Sequence, residues 1–490
     1  MKHRWVVGGL LLVPLLLGTL GFASDDPVPW PLGMAPSGPD LDEWIAAEEE
    51  IARRERFDEF LEAAEKGEDT EHMTVRQPDI DAGLFDLERL FVFGDAAFSH
   101  EFRNENGYGR LGLPRLSRVH DGRSGGLDSF SCAGCHQQGG VNGAGAVTAN
   151  SFYFGDGERA ASAIVRNPPN VLGLGLVQAL AAEMTSDLQY RRTLATAKAV
   201  ESGAPQVLTL EAHGVTFGTL VAKPDGTVDD SGVVGVDRDL RIKPFGWKGH
   251  TPTLRRFVER AALAHFGVQS HVLALGYQSN PEPWLGPGPN WWDPDNDGVQ
   301  RELEEGTLTA YAIYLELLET PLALPPADEG LRERAAYGAS LFASVGCADC
   351  HRPSLSMSSD RWFEVGDTTH MPGVEVRLLN DGEKPRGGLA VQLFSDLKRH
   401  HMGERLADPN DDPDGIGRDV FLTRPLWGLS ESAPYLHDGR AATIAEAVFH
   451  HGGEAQEPRD LFLALSPEDQ ANVQLFLMSL SRMPRLRVPQ

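Results

Sequence analysis

Cysteine is scarce in this sequence. Four cysteines occur among 490 residues, too few for the dense disulfide framework that stabilises small secreted domains. All four lie in two C-x-x-C-H units, the segments 132–136 and 347–351. A C-x-x-C pair can form a disulfide, bind zinc, perform thiol redox chemistry or carry a haem. The residues around the two units must therefore distinguish four kinds of chemistry.

Basic residues are also few. The chain has 44 Lys and Arg against 71 Asp and Glu, which gives a formal net charge of −27. Nucleic-acid binding and docking on anionic lipid both require a basic surface, so the composition argues against both kinds of partner. An acidic surface can instead steer a basic partner protein, or it can serve solubility alone.

Long hydrophobic runs are absent beyond the N-terminus. The run from Trp5 to Phe22 follows Lys2 and Arg4 and precedes small residues. This order predicts a cleaved secretory signal over residues 1–23. An uncleaved single-span membrane anchor is the alternative, because the run approaches the length that crosses a bilayer. Both interpretations place the body of the protein outside the cytoplasm, either periplasmic or secreted, or held at the membrane.

The histidine that follows each cysteine pair favours haem. Residues three and four apart share a face of a helix, so Cys132 and Cys135 can each form a thioether to one porphyrin edge while His136 binds the iron. The same arrangement recurs in Cys347, Cys350 and His351. Zinc would need further ligands that neither unit offers nearby, and a thioredoxin-like dithiol does not require the histidine. The sequence thus predicts two covalently bound c-type haems.

Apolar periodicity and turn residues divide the remaining chain into three parts. A linker and a charged amphipathic helix are predicted over 24–85, a first haem domain over 86–322 and a C-terminal cytochrome c domain over 329–490. Alternating Val- and Thr-rich residues over 207–249 predict a small β insertion. Ser466 is predicted to cap the last helix. The predicted fold is mainly α, with two cytochrome-c-like helical domains in tandem, the first enlarged by the β insertion.

The sixth position of each haem iron separates electron transfer from chemistry. For the second haem, Met402 is the favoured ligand, since a thioether suits electron transfer, and His400 and Met371 are its rivals. For the first haem no ligand stands out. Its candidates are His120, His250, His265 and His271. An empty sixth position would leave this iron reactive toward peroxide.

The segment 424–455 carries an unusual set of side chains. Trp427, His437 and Arg440 lie in a loop that precedes a predicted helix. Arg440 can pair with a haem propionate, and Trp427 can line a haem pocket or help to pass electrons. We treat these three as candidate pocket residues of the reactive haem. A tightly packed loop with a His–Asp hydrogen bond is the alternative.

The segment 293–304 fits the calcium-loop pattern D-x-[DN]-x-[DN]-G-x₅-E. Its predicted ligands are Asp293, Asp295, Asp297, the carbonyl of Val299 and Glu304. An acidic turn that caps the next helix is the alternative interpretation.

Several segments together resemble the di-haem oxidoreductase family, which is related to bacterial di-haem cytochrome c peroxidases. Besides the two C-x-x-C-H units, these are NPPNVLGLGLVQAL (167–180), FGWKGHTPTL (245–254), SDLKRHHMG (395–403) and PLWGLSESAPYLHDGRAATIAEAVFHHGGEA (425–455). The resemblance extends over about residues 85–485, and the last segment is the most specific.

This resemblance implies a division of labour between two haems. His136 and His351 correspond to the proximal ligands, and Met402 matches the methionine of the family's HDMG-like segment, with His401 as a rival ligand. The C-terminal haem then receives electrons from a small cytochrome c or cupredoxin, and the N-terminal haem reduces peroxide or another small oxidant. A calcium ion between the domains is also implied. Two alternatives stay open: a non-catalytic di-haem electron carrier and a maturation-type oxidase of a protein partner. Homodimerisation is also left open.

Overall fold

Helices connected by short strand pairs make up the part of the chain that the structure describes. The structure is a computed structural model, and it describes residues 75–102, 119–120, 129–153, 160–270, 272, 302–364, 374–378, 389–412 and 414–482. Within these residues, Val75–Asp81 and the chain from Phe85 onward belong to one compact unit, which contains both C-x-x-C-H units. The predicted division into two tandem domains remains a prediction.

The described α-helices vary from one turn to eight turns. They are α1 (Gln77–Asp81), α2 (Leu87–Ser99), α3 (Cys132–Cys135), α4 (Leu174–Ser202), α5 (Leu254–Phe266), α6 (Glu305–Leu317), α7 (Glu329–Ser344), α8 (Ile444–His450), α9 (Gln456–Ala464) and α10 (Pro467–Met478). Short 3-10 segments include Cys347–Asp349 and Leu429–Glu431. More of the described residues lie in helices than in strands, so the prediction of a mainly α protein is confirmed.

The described strands are short. They are β1 (Val119–His120), β2 (Ser151–Tyr153), β3 (Ile164–Arg166), β4 (Gln206–Ala212), β5 (Val215–Ala222), β6 (Val228–Asp229), β7 (Leu322–Ala323), β8 (Leu355–Met357), β9 (Arg361–Glu364), β10 (Val374–Arg377), β11 (Leu389–Val391), β12 (Arg399–His401), β13 (Val420–Leu422) and β14 (Leu480–Ser481). Strands β4, β5 and β6 form an antiparallel sheet. This sheet lies where the β insertion is predicted, although its strands end at Asp229.

Strand β2 joins β1 in parallel and β3 antiparallel. Four antiparallel pairs complete the pattern: β7 with β14, β8 with β11, β9 with β10, and β12 with β13. The last three pairs lie in the C-terminal part, for which the sequence predicts helices alone. Strands of three or four residues show too little alternation to be read from sequence, and packing decides where they pair.

Two glycines allow two pairs of helices to pack closely. Helix α2 crosses α6 at Gly94, where a Cβ atom would clash with the backbone of Ala310 and with Tyr314. Helix α7 crosses α10 at Gly338, where a Cβ atom would clash with the carbonyl of Asn472. In each pair the first helix precedes a C-x-x-C-H unit in the chain. Helix α7 leads directly into the second unit, and α2 contacts the turn that carries the first.

Two apolar clusters form the core. One joins α4 and the β4–β5 sheet to residues from the C-terminal part, including Val391, Leu397 and Trp427. The other surrounds the second C-x-x-C-H unit and contains Phe342, Phe394 and Phe462. None of the described helices is long and apolar enough to cross a membrane.

Candidate haem sites

The first C-x-x-C-H unit begins with a capped turn of helix. Ser131 caps α3 by accepting a hydrogen bond from the amide of Gly134 at 3.0 Å. His136 follows directly, and its Nδ1 lies 2.9 Å from the carbonyl oxygen of Pro169. A carbonyl can only accept, so Nδ1 carries the proton and Nε2 keeps its lone pair for a metal. Burial lowers the pKa of His136 to about 4, which keeps the ring neutral.

The second unit repeats this arrangement on a 3-10 turn. The Nδ1 of His351 lies 3.0 Å from the carbonyl oxygen of Phe394, so its Nε2 also keeps a lone pair. Burial lowers the pKa of His351 to about 4 as well. None of the four cysteines forms a disulfide. Carbonyl-anchored, neutral imidazoles beside two free thiols are what a haem attachment site requires.

A cavity of about 560 Å³ lies against the second unit. Its wall includes Cys347, Cys350 and His351, and most of its surface is apolar. Its volume lies within the range of cofactor pockets. The other apolar lining residues include Val345, Leu426, Leu429, Ile444, Val448 and Leu477. Thiols, an available imidazole nitrogen and apolar walls together fit a haem.

His451 faces His351 within this cavity. The two ring centres are 6.5 Å apart, and two imidazoles that bind one metal from opposite sides at about 2 Å each have ring centres about 6 Å apart. The Nδ1 of His451 lies 2.8 Å from the carbonyl oxygen of Ala447, so its Nε2 is the available nitrogen. Burial lowers the pKa of His451. The sequence analysis missed this residue, although the signal was present in the His-His-Gly-Gly end of α8.

The predicted ligand Met402 also lines this cavity, and its backbone amide donates to the carbonyl of Asp419 at 2.8 Å. Its two histidine rivals are placed differently. His400 is held between carboxylates, with Nε2 2.9 Å from Asp396 and Nδ1 2.8 Å from Glu454. Both of its nitrogens are therefore engaged.

His401 has a side chain that is 68% exposed, and its Nδ1 lies 3.3 Å from Asp419. Its imidazole is therefore directed toward solvent and a surface carboxylate. The third alternative, Met371, lies outside the described residues.

Arg424 and Arg459 lie in the cavity wall, whereas Arg440 does not. Arg440 is exposed and bonds Asp438 at 2.6 Å, so its charge is already paired. Arg424 makes a long bond of 3.4 Å to the carbonyl of Pro244 and lies 5.6 Å from the ring of Trp247. Burial lowers its pKa to about 10. No carboxylate among the described residues pairs with Arg424, so this guanidinium suits a haem propionate.

The predicted pocket residue His437 lines the same cavity beside a buried charge cluster. Asp408 accepts two bonds of 2.8 Å from Arg166 and lies 3.2 Å from the ammonium of Lys248, which has no exposed surface. Two cations against one anion leave the cluster with a net positive charge. His437 is 3.6 Å from Asp408 and stacks on Phe421 with ring centres 4.4 Å apart.

Burial, followed by the repulsion of Arg166, lowers the pKa of His437 to about 3. The ring is therefore neutral at physiological pH. Positive charge at this end of the cavity favours anionic groups such as propionates, even though the whole protein is strongly acidic.

The third predicted pocket residue, Trp427, is 5% exposed and also lines the cavity. Its indole nitrogen donates to the carbonyl of Gln392 at 2.5 Å, and its own carbonyl accepts from the amide of Asn170 at 2.9 Å. The structure therefore brings Trp427 and His437 to the second C-x-x-C-H unit, whereas the sequence analysis assigned them to the reactive first haem.

The histidines considered for the first haem have other partners where the structure describes their side chains. His250 lies 3.1 Å from Asp412, and His265 lies 3.2 Å from the hydroxyl of Tyr153. The side chain of His120 and the whole of His271 lie outside the described residues. Both nitrogens of His265 are engaged, since its Nδ1 lies 3.4 Å from the hydroxyl of Ser151, whereas the contact of His250 with Asp412 uses Nε2.

The predicted calcium loop lies almost entirely outside the described residues, which include neither Asp293, Asp295, Asp297 nor Val299. Glu304 is described. It is exposed and occupies the position before α6, which is consistent with either interpretation of the loop.

Comparisons with known proteins agree with the resemblance in the motifs. Residues 317–480 match the family described as "Di-haem oxidoreductase, putative peroxidase". A curated relative, the cytochrome c551 peroxidase of Pseudomonas aeruginosa, is 23% identical over 218 residues, which cover 42% of this chain and 54% of the relative. The match thus spans about half the length of that relative.

Two solved structures show a weaker likeness. A hydrazine synthase of Kuenenia stuttgartiensis is 19% identical over 37% of this chain and 57% of that chain, with a TM-score of 0.23. A MauG-like protein associated with microbial copper homeostasis is 15% identical over 53% of this chain and 77% of that chain, with a TM-score of 0.27. At these scores neither structure defines the fold.

The family match covers α7, the second C-x-x-C-H unit, His451 and most of the residues that line the cavity. These are the residues whose geometry fits a haem. The resemblance predicted from the motifs is thereby confirmed as a similarity of residues 317–480 to the di-haem oxidoreductase family, together with a distant similarity to a cytochrome c peroxidase.

Proposed function

We propose that the chain is an exported di-haem c-type oxidoreductase that reduces hydrogen peroxide. One haem is attached at Cys347 and Cys350 and receives electrons, and the other is attached at Cys132 and Cys135 and meets the peroxide. The observation that carries the proposal is that His136 and His351 have the same protonation state and the same hydrogen bonding. Each is neutral, each donates Nδ1 to a backbone carbonyl, and each keeps Nε2 for an iron.

The bound haems supply reversible iron redox chemistry and, at an open coordination position, cleavage of the peroxide O–O bond. His351 and His451 would both hold the second iron, which suits electron transfer. Arg424 would neutralise a propionate in the cavity wall. His136 would hold the first iron, where the reduction of peroxide would take place.

Two electrons and two protons convert one peroxide to two waters, and the electrons come from a donor protein. The carboxylates of Asp349, Glu454 and Glu457 line the cavity at its exposed side, next to Leu461, which is 46% exposed. An acidic rim around an apolar contact suits a small basic cytochrome c or cupredoxin. We propose this rim as the place where electrons enter.

Three further parts of the proposal rest on general reasoning. Export rests on the N-terminal run and on the attachment of c-type haems outside the cytoplasm. The arrangement as two cytochrome-c-like domains is supported by the helix crossings at Gly94 and Gly338, each with a helix that precedes a C-x-x-C-H unit. Calcium binding at 293–304 rests on the sequence pattern alone.

The test uses the holoprotein, purified with both haems. Two covalent attachments are supported if haem stays on the denatured chain. The haem content should then be halved by the double variant Cys132→Ser and Cys135→Ser, and also by the double variant Cys347→Ser and Cys350→Ser. A high-spin haem that binds carbon monoxide supports the peroxidase, provided that the protein consumes peroxide only when an electron donor is present. Two low-spin haems that do not respond to peroxide or to carbon monoxide after half-reduction would show a non-catalytic electron carrier instead.

A further inference from the structure

We infer that His250, Asp412 and Asp414 form a binding site for a divalent first-row transition-metal ion such as Zn²⁺. The three side chains come from two segments that are far apart in the sequence, and one ligand atom from each lies within 4.8 Å of the other two. No residue of either C-x-x-C-H unit belongs to this cluster. The site is also separate from the predicted calcium loop at 293–304, and it is independent of the proposed peroxidase activity.

The spacing of the ligand atoms fits a shared ion better than it fits hydrogen bonds alone. Nε2 of His250 lies 3.1 Å from Oδ2 of Asp412 and 3.6 Å from Oδ2 of Asp414. The second distance is too long for a hydrogen bond, so a hydrogen on Nε2 accounts only for the first. Ligands that lie about 2.1 Å from one ion are about 3.0 Å apart in octahedral geometry and about 3.4 Å apart in tetrahedral geometry. Both measured distances lie close to this range.

A tight turn holds the imidazole of His250 in place. The backbone amide of His250 donates to the carbonyl of Phe245 at 3.0 Å, and Phe245 pairs with Thr251 across the turn. Gly246 has φ = +81°, and a Cβ atom there would lie 3.0 Å from Nδ1 of His250. The Nδ1 edge of the ring therefore packs on the turn, and Nε2 is the nitrogen that faces the carboxylates. Neutral histidine can bind metals through this nitrogen.

The two carboxylates are arranged by their own loop. Oδ1 of Asp412 accepts from the backbone amide of Asp414 at 2.9 Å, and Oδ2 of Asp412 is the oxygen directed at His250. The side chain of Asp412 is 7% exposed, whereas that of Asp414 is 27% exposed. The cluster thus has a buried side, which fixes the ligands, and an open side, from which water can complete the coordination of an ion.

Charge also favours a cation at this place. Two carboxylate oxygens are directed at one nitrogen, and like charges at such distances repel each other. Arg260 lies 3.1 Å from Asp414 and contributes a single positive charge on the outer side of the cluster. A protonated His250 that pairs with both aspartates is the alternative interpretation, and it requires no metal.

The kinds of ligand select the class of ion. Calcium and magnesium prefer ligand sets made of oxygen atoms, whereas an imidazole nitrogen suits zinc, iron, nickel or divalent copper. The cluster contains one imidazole and no thiol, so it also does not favour a soft ion such as monovalent copper.

An ion here would add a link between two segments that already contact each other beside the haem cavity. Lys248 pairs with Asp408 at 3.2 Å, and the amide of Leu422 donates to the carbonyl of Trp247 at 3.0 Å. Both Trp247 and Leu422 line the cavity. We therefore assign the ion a structural role, in which it fastens the turn that carries His250 to the loop that carries the aspartates.

The experiment counts the zinc that the holoprotein retains. The protein is treated with a chelator, equilibrated at a buffered concentration of free Zn²⁺ and freed of unbound metal, and zinc is then measured relative to iron by mass spectrometry. We expect about one more zinc ion per chain in the wild type than in His250→Ala. Asp414→Asn is expected to weaken zinc binding by at least about tenfold, since even the partners of metal ligands contribute that much to affinity. X-ray absorption at the zinc edge, which haem iron does not obscure, should show nitrogen and oxygen ligands.

His213→Ala is the matched control. His213 also lies beside a carboxylate, with Nε2 3.5 Å from Asp187, but it belongs to no three-residue cluster of this kind among the described residues. His213→Ala is therefore expected to retain as much zinc as the wild type.

Equal zinc content in the wild type and His250→Ala would overturn the site and leave His250 in an ion pair, and so would an equal loss of zinc in His213→Ala and His250→Ala. If His250→Ala does not take up both haems, Asp414→Asn decides, because it keeps the size of the side chain at the more exposed position. Unchanged zinc binding in that variant would overturn the site. No measurement uses peroxide, so the metal site and the peroxidase activity can fail independently.

Discussion

At the scale of single residues, hydrogen bonds decide which nitrogen of each histidine is available. His136, His351 and His451 all use Nδ1 to bond a backbone carbonyl, and this leaves Nε2 on the side of the cavity or the predicted haem. His400 differs because carboxylates take both of its nitrogens. Burial is the largest single effect and lowers the pKa of His400, but the interactions with Asp396 and Cys350 together outweigh burial and raise the pKa to about 11. The contacts of His400 therefore favour a cation over a metal ligand.

The first prediction concerns the axial ligand of the second haem. His451→Ala is expected to convert this haem from low-spin to high-spin and to open it to carbon monoxide, because the nitrogen opposite His351 is lost. Electron paramagnetic resonance of the oxidised holoprotein, together with carbon monoxide titration of the reduced protein, measures both changes.

Met402→Ala is the matched variant for this prediction. It removes another side chain from the wall of the same cavity and is expected to leave the spin state unchanged. If Met402→Ala instead abolished a methionine-to-iron charge-transfer band while His451→Ala changed nothing, Met402 would be the ligand, as the sequence analysis predicts.

At the scale of elements, the helix crossings position the cysteine units. Helix α7 ends three residues before Cys347, so the way α7 packs on α10 helps to position the second C-x-x-C-H unit. Helix α10 begins where the sequence predicts. Ser466 accepts from the amide of Asp469 at 3.1 Å, and Pro467 occupies the first turn. The contact itself depends on Gly338, which no local pattern distinguishes from other glycines.

The second prediction tests this contact. Gly338→Ala is expected to lower the free energy of unfolding by about 1–3 kcal/mol, because the new Cβ atom would force α7 and α10 apart. Gly330→Ala, near the exposed start of the same helix, meets no close neighbour and is expected to change stability by less than about 1 kcal/mol, in the stabilising direction. Denaturant unfolding of the holoproteins measures both. Equal effects of the two substitutions would contradict the close crossing.

At the scale of the whole molecule, the charge is strongly negative, whereas some basic side chains lie in or near the cavity. The net charge is −27, yet Arg424 lines the cavity, and Arg166 and Lys248 pair with Asp408, which lies 3.6 Å from the cavity residue His437. Under the proposed function, the net negative charge would attract a basic donor protein, and the cations near the cavity would pair with haem propionates.

The third prediction follows from the net negative charge. Reduction of the second haem by a basic cytochrome c is expected to slow by about tenfold between ~0.01 M and ~1 M salt, because salt screens the attraction. Stopped-flow absorbance measures the second-order rate. Glu457→Lys, at the rim of the cavity, is expected to lower the rate at low salt more than Glu211→Lys, which makes the same change of net charge on the exposed side of β4. Equal effects would show that no local docking rim exists.

The sequence by itself determined the helical character and predicted the haem chemistry. A histidine directly after each C-x-x-C pair, the helix start at Ser466 and the alternating residues of β4 and β5 are all local signals, and local geometry is enough to interpret them. The tertiary structure decided which distant side chains share the cavity. His451 lies 100 residues after His351, and Trp427 lies 257 residues after Asn170. Local sequence periodicity therefore cannot predict either contact. Only packing, which buries these groups together and pairs their hydrogen bonds, could bring them to the haem sites.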